Sequence, residues 1–263
     1  MATYSDRKSK VLVVFLLCVV MTVGFGTLYF VGDLARFQED TSVREGEAAL
    51  RSVNDPEQLD QVLRRYPSNK FLKMVALAKR DSIEMDTVTG GLLTEAEPRD
   101  LWKQTDLGAF SRSELETLGR ELKTADSNAR TLESRYLPLV KAERDKIEHD
   151  ASLLERRTDT LAKFMAMIDE QHADMKSLIS RISAERLEYT AAYEKCVALL
   201  VHEFGLYKVV NGQIIFQLQP TADSYNDAAA KMAAASGRLE ELDVETTKLK
   251  QSQFERWKNL VSR

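Results

Sequence analysis

Cysteine, proline and glycine are scarce, with 2, 5 and 11 copies in 263 residues. Cys18 lies inside an apolar run, so Cys196 is the one thiol elsewhere and no intramolecular disulfide can staple the rest of the chain. So few helix breakers favour a mostly helical protein over one built from many short strands and turns. Histidine is also scarce, with 3 copies. A di-metal site in a helical bundle uses two Glu-x-x-His pairs and two further glutamates, and here Asp169-x-x-His172 is the single approximation. Clusters of Lys and Arg that would neutralise phosphates are missing, both signs of charge being interspersed, which excludes nucleic acid as a partner. Also missing are a Gly-rich phosphate loop, a serine elbow and a Cys-x-x-Cys pair. We therefore expect a non-enzymatic protein with no catalytic residues, no cofactor and no metal site. An Asn-x-Ser/Thr acceptor is lacking too, which for an exported chain points to a bacterial envelope.

What the chain does have begins at residues 11–32, VLVVFLLCVVMTVGFGTLYFVG, without one charge. At about 1.5 Å per residue a helix crosses the ~30 Å hydrocarbon core with about 20 residues, so the run is long enough to span. Arg7, Lys8 and Lys10 precede it, and Asp33, Glu39 and Asp40 follow. Basic residues stay on the cytoplasmic side, so the expectation is a single-pass inner-membrane protein with residues 1–10 as a cytoplasmic tail and the bulk extracytoplasmic. A signal peptide cut near Gly24-Phe25-Gly26 is the alternative. The apolar run continues past that point through Leu28, Tyr29, Phe30 and Val31, which favours the anchor. The whole chain carries −4; residues 1–10 hold Arg7, Lys8 and Lys10 against Asp6, leaving −6 for residues 33–263.

Residues 33–110 read as a helical stalk, a helical hairpin and an irregular linker. Asp55 and Pro56 look like an N-cap and first helical position for a helix over 56–66, and a second helix follows over 70–85. Gly90-Gly91, Pro98, Trp102 and Gly108 make 86–110 the least regular segment, with Trp102 pinning it to the bundle.

Residues 111–263 read as a long-helix bundle. Ser111-x-x-Glu114 is a capping box, and Leu115, Leu118, Leu122, Ala125, Ala129, Leu132, Tyr136 and Leu139 follow at steps of three and four. Pro138 should kink the helix or restart it. The seam resumes at Ile147 and continues to Leu200, with Thr158, His172 and Arg186 as its non-apolar members. Unbroken from 138 to 204, that helix would run roughly 100 Å at about 1.5 Å per residue. His172 and Arg186 are candidates for fixing register, and His172 for making packing pH-sensitive. Cys196, without an imidazole in reach, reads as a small core residue.

After Gly205 the period switches to two. Asn211-Gly212 between apolar strands signals a hairpin over 206–218 with Val210 opposite Gln213, because both turn residues tolerate positive φ. Tyr207, Val209, Ile214 and Phe216 then share one face, a candidate partner-binding face at the tip where the chain reverses. Pro220 and Thr221 start a last helix, antiparallel to the long one, with a stripe from Tyr225 to Leu260.

Val210-Asn211-Gly212, Phe216, Pro220-Thr221 and Ser224-Tyr225-Asn226 resemble the hairpin-to-helix segment of a family of uncharacterised membrane-anchored helical envelope proteins of Gram-negative bacteria. The resemblance implies fold and location and no activity. That family usually carries a lipoprotein signal, which this chain lacks: Leu17 precedes Cys18 where a small residue is needed.

The expected fold is thus mostly α: a transmembrane helix, then an elongated antiparallel helical bundle or coiled coil with one β-hairpin at the tip. The expected function is a membrane-anchored scaffold or adaptor, partnered by another envelope protein or a second copy. The alternative is a ligand-binding ectodomain with an apolar cavity between helices.

Overall fold

The computed structural model describes residues 41–53, 58–97, 107–155 and 158–257. The proposed anchor at 11–32, the Asp55-Pro56 cap, Pro98, Trp102 and Leu260 lie outside them. Among the described residues no helix is long and apolar enough to cross a membrane. The chain divides into two compact units, one ending at Lys73 and one running from Met74 to Leu260.

The first unit holds α1 (residues 41–51), α2 (Leu59–Arg65) and the first turn of α3 (Lys70–Glu95). Asn69 ties it together: its Oδ1 accepts from Leu72 N at 3.0 Å, and its Nδ2 donates to Ser42 O at 2.6 Å. Gly46 is required there, since a Cβ would stand 2.8 Å from the Phe71 ring.

The second unit contains the rest of α3, a 3₁₀ turn (Leu107–Ala109), α4 (Arg112–Leu154), α5 (Thr158–His202), the hairpin β1 (Lys208–Val210) and β2 (Gln213–Ile215), and α6 (Gln219–Trp257). The described residues are thus mostly helical with one small antiparallel hairpin, as expected. The capping box also forms: Glu114 N donates to Ser111 Oγ, and Ser111 N to Glu114 Oε2 at 2.7 Å. Leu115, Leu118, Leu122, Ala125, Ala129, Leu132 and Tyr136 are all buried.

Three expectations fail. The long helix is not continuous from 138 to 204. It ends at Leu154, where Glu155 takes an extended conformation, and α5 starts at Thr158 running the other way. As α4 numbering rises through Glu133 and Arg144, their α5 partners fall from Ser180 to Asp169. Leu154 and Thr158 are four apart, so the turn preserves the heptad phase and hides itself in the pattern. Pro138 neither kinks the chain into two helices nor restarts it. It is exposed, so the carbonyl it leaves unpaired faces water, while Tyr136 and Ile147 are buried on either side. Gly90-Gly91 does not break α3, which runs ten residues beyond the expected end at Met85.

α5 is the central helix, in close contact with α4 on one side and α6 on the other. Arg238 bonds Glu185 and Glu188, each at 2.7 Å, and Arg256 bonds Asp174 at 2.6 Å, so α6 runs antiparallel to α5, as expected. α3 stands further off and is held by long polar side chains. Lys146 reaches Glu84 and Asp81, Arg135 reaches Glu95, and Lys250 reaches Asp86.

Candidate functional site

Two places combine accessible apolar surface with definite geometry. The first is the hairpin. Asn211 and Gly212 have φ of 52° and 75°, the paired positive values of a tight two-residue turn, and Val210 pairs with Gln213. This register sends alternate residues to opposite faces. Tyr207, Ile214 and Phe216 pack against a core cluster that includes Leu115, Leu118, Leu200 and Ala235. An aromatic chain strengthens the seat: Tyr207 lies 6.0 Å from Phe216, and Phe216 5.2 Å from Tyr225, between ring centroids.

Of the four residues expected to meet a partner, three therefore cover the end of the bundle, and Val209 alone is exposed, at 40%. Sequence reasoning missed the opposite face. Val210 and Ile215 are 45% and 50% exposed there, flanked by Leu206 and Leu218. The signal was available, because between Glu203 and Asp223 Lys208 is the sole charged residue in a chain that is 30% charged. Interface cores are depleted in charge in the same way.

The second place is a cleft of about 630 Å³ between α3, α5 and α6. Leu93, Met175, Ile179, Ile182 and Leu239 form its apolar walls. Gly90 lines it too, and a Cβ there would meet nothing within 4 Å. At one end stands Arg186, one of the two seam residues singled out from sequence. Its guanidinium donates to Leu93 O, one of the last carbonyls of α3, and lies 3.8 Å from Glu97. Burial lowers its pKa from the ordinary arginine value, and Glu97 opposes that shift. Arg186 thus closes the C-terminal end of α3, where the helix dipole favours a cation, together with Asn128, which donates to Glu95 O at 2.8 Å.

At the other end the cleft adjoins a small chamber of about 60 Å³; Asp86, Thr89, Met175 and Lys250 line both. His172, the other seam residue, faces this chamber with Glu143, Gln171 and Tyr136. Its Nε2 lies 3.2 Å from Glu143 Oε2. The structure therefore brings His172 and Arg186 to the same groove and gives each a partner on another helix.

Cys196 is buried, and desolvation pushes its thiol up to about 11. Among the described residues no group of three or more His, Cys, Asp or Glu is arranged to hold a metal ion. No protein-family model, curated protein or solved structure matches the chain.

Proposed function

We propose that the protein is a non-enzymatic scaffold or adaptor of the cell envelope, anchored by residues 11–32 and acting through protein–protein contacts at the hairpin. The observation that carries this reading is the exposed apolar side chains of the hairpin, Val209, Val210 and Ile215 in the strands with Leu206 and Leu218 on either side in sequence, within a stretch charged at Lys208 alone. A soluble surface seldom leaves so much apolar side chain together without a partner. The chemistry fits another envelope protein or a second copy. Nucleic acid does not fit, for want of clustered cations.

A photo-crosslinking residue placed at Ile215 in the native membrane tests it against one at Ile83, which is comparably exposed on α3 and away from the cleft. The adaptor reading expects one discrete adduct from position 215, lost with Leu218→Lys, and none from 83. Equal or absent adducts at both positions sink it.

A second reading has its own observation in the cleft. An apolar groove of about 630 Å³ falls within the ~300–1,000 Å³ of small-molecule sites, so the same ectodomain also qualifies as a ligand-binding one.

A further inference from the structure

The chamber is polar where the cleft is apolar, and two of its groups are unsatisfied. Gln171 Nε2 and His172 Nδ1 are buried with no hydrogen-bond partner among the described residues. Buried polar atoms are normally paired, with protein or with something bound. Their chemistry narrows what that is. Gln171 Nε2 can only donate. In its contact with Glu143, His172 Nε2 carries a proton, so Nδ1 accepts when the ring is neutral and donates when it is charged. A hydroxyl or a water could serve both while the ring is neutral, whereas a carboxyl serves both in either state of the ring: it accepts from Gln171 and shares a single proton with His172 Nδ1.

Size and charge agree. The chamber, about 60 Å³ beside a cleft of about 630 Å³, is a small polar end to a long hollow and suits a compact head such as a carboxyl. Glu143 from α4 faces His172, and Asp86 from α3 is paired with Lys250 from α6 at 2.7 Å. A carboxyl that enters with its proton adds no net charge to this set. From His172 in the chamber to Arg186 at the far end the path along α5 is about 21 Å at ~1.5 Å per residue, between Leu93, Leu178, Ile182 and Leu239. That is the reach of an extended palmitoyl chain.

We infer that cleft and chamber together bind a long-chain fatty acid, its carboxyl between Gln171 and His172 and its chain along α5. This rests on the ligand-binding reading and names its ligand class. The test uses the full chain in nanodiscs and a diazirine-bearing palmitate, with the crosslinked residues identified by mass spectrometry. Expected are adducts on α5 and α6 residues of the cleft, competed by palmitate and about tenfold less well by methyl palmitate, hexadecanol and lysophosphatidylcholine, the loss of one buried hydrogen bond to a charged group. Gln171→Leu should weaken palmitate competition by a similar factor without lowering the Tm of the unliganded protein, since it removes an unpaired donor. Ile182→Trp, which fills the groove, should abolish the adducts.

Hexadecanol competing as well as palmitate, or Gln171→Leu behaving as the parent, overturns the carboxyl site. If palmitate leaves no adduct while anilinonaphthalene sulfonate still lights up the parent and not Ile182→Trp, the fatty acid falls and the ligand-binding reading stands. If neither probe enters, both fall.

Discussion

α5 makes one closed interface and one open one. Against α4 the seam residues Leu115, Leu118, Leu122 and Leu132 are at most 3% exposed, and small Ala125 and Ala129 let the backbones approach until Ser183 Oγ bonds Ala129 O at 2.7 Å. Against α3 the contact is made by Leu92 and Leu93 on Ile179, Leu178 and Ile182, while Thr89 and Gly90 leave the space between unfilled and ion pairs tie α3 to α4 and α6 instead. Exposed pairs of that kind contribute about 0–1 kcal/mol each, so they position α3 more than they stabilise it. Apolar patterning sets how strongly two helices bind; the size of the residues in that pattern sets whether they leave room.

The contrast makes measurable claims. Leu122→Ala, in the closed seam, should destabilise by about 3–4 kcal/mol in urea unfolding, because the cavity it leaves cannot collapse, whereas Leu93→Ala on the groove wall should cost about 1 kcal/mol or less. Equal losses would mean that the groove is packed in solution. Burial also holds three phenols neutral, Tyr136 beside the chamber, Tyr189 beside the cleft and Tyr193 in the cluster of Leu118 and Leu122. Desolvation raises Tyr136, Tyr189 and Tyr193, Tyr189 to about 12. The unfolded chain ionises near pH 10, so this stabilisation is complete below about pH 10 and lost as pH rises toward the folded values, about 3 kcal/mol for Tyr189 alone. The tyrosinate absorbance of three of the eight tyrosines should accordingly appear only together with loss of helix; all eight titrating near pH 10 in a folded chain would refute the burial.

Volume gives the third comparison. Ala129→Leu should overpack the closed seam and cost about 1–3 kcal/mol, while the much larger Ile182→Trp costs less than about 1 because the groove accepts it. The smallest effect runs the other way: Gly90→Ala should stabilise by about 0.5–1 kcal/mol through helix propensity, its Cβ meeting nothing within 4 Å. A loss there would show α3 pressed against its neighbours.

These differences also explain what was legible in the sequence. The α4 seam, the Ser111 capping box, the hairpin register and the antiparallel α6 all follow from local periodicity or turn chemistry, which the chain declares within a few residues. The reversal after Leu154 does not, because Glu155-Arg156-Arg157 contains neither Gly nor Pro and keeps the heptad count intact. Gly90-Gly91 misled in the opposite sense. Glycine in a helix costs about 1 kcal/mol relative to alanine, which polar clamps at Asp81, Glu84 and Glu95 help to offset, and what it leaves is a hole. The groove was foreseeable as an alternative but not locatable, since its walls come from three helices whose facing is a tertiary fact. Likewise, alternation along the hairpin identified its two faces, yet gave no sign of which one the bundle end would cover.

The double reversal around α5 has a kinetic side. Contacts to α4 lengthen from the Leu154 end toward the hairpin, with sequence separations of 25, 47 and 54 at Arg144–Asp169, Ser180–Glu133 and Ser183–Ala129. Contacts to α6 lengthen the other way, from 29 at Cys196–Tyr225 through 64 at Arg181–Glu245 to 82 at Arg256–Asp174. Loop closure favours the short separations first, so two zippers start at opposite ends of the same helix and travel past each other. Each finishes where the other began. Neither end of α5 acquires both its neighbours early, which couples the hairpin end and the far turn into one cooperative folding event.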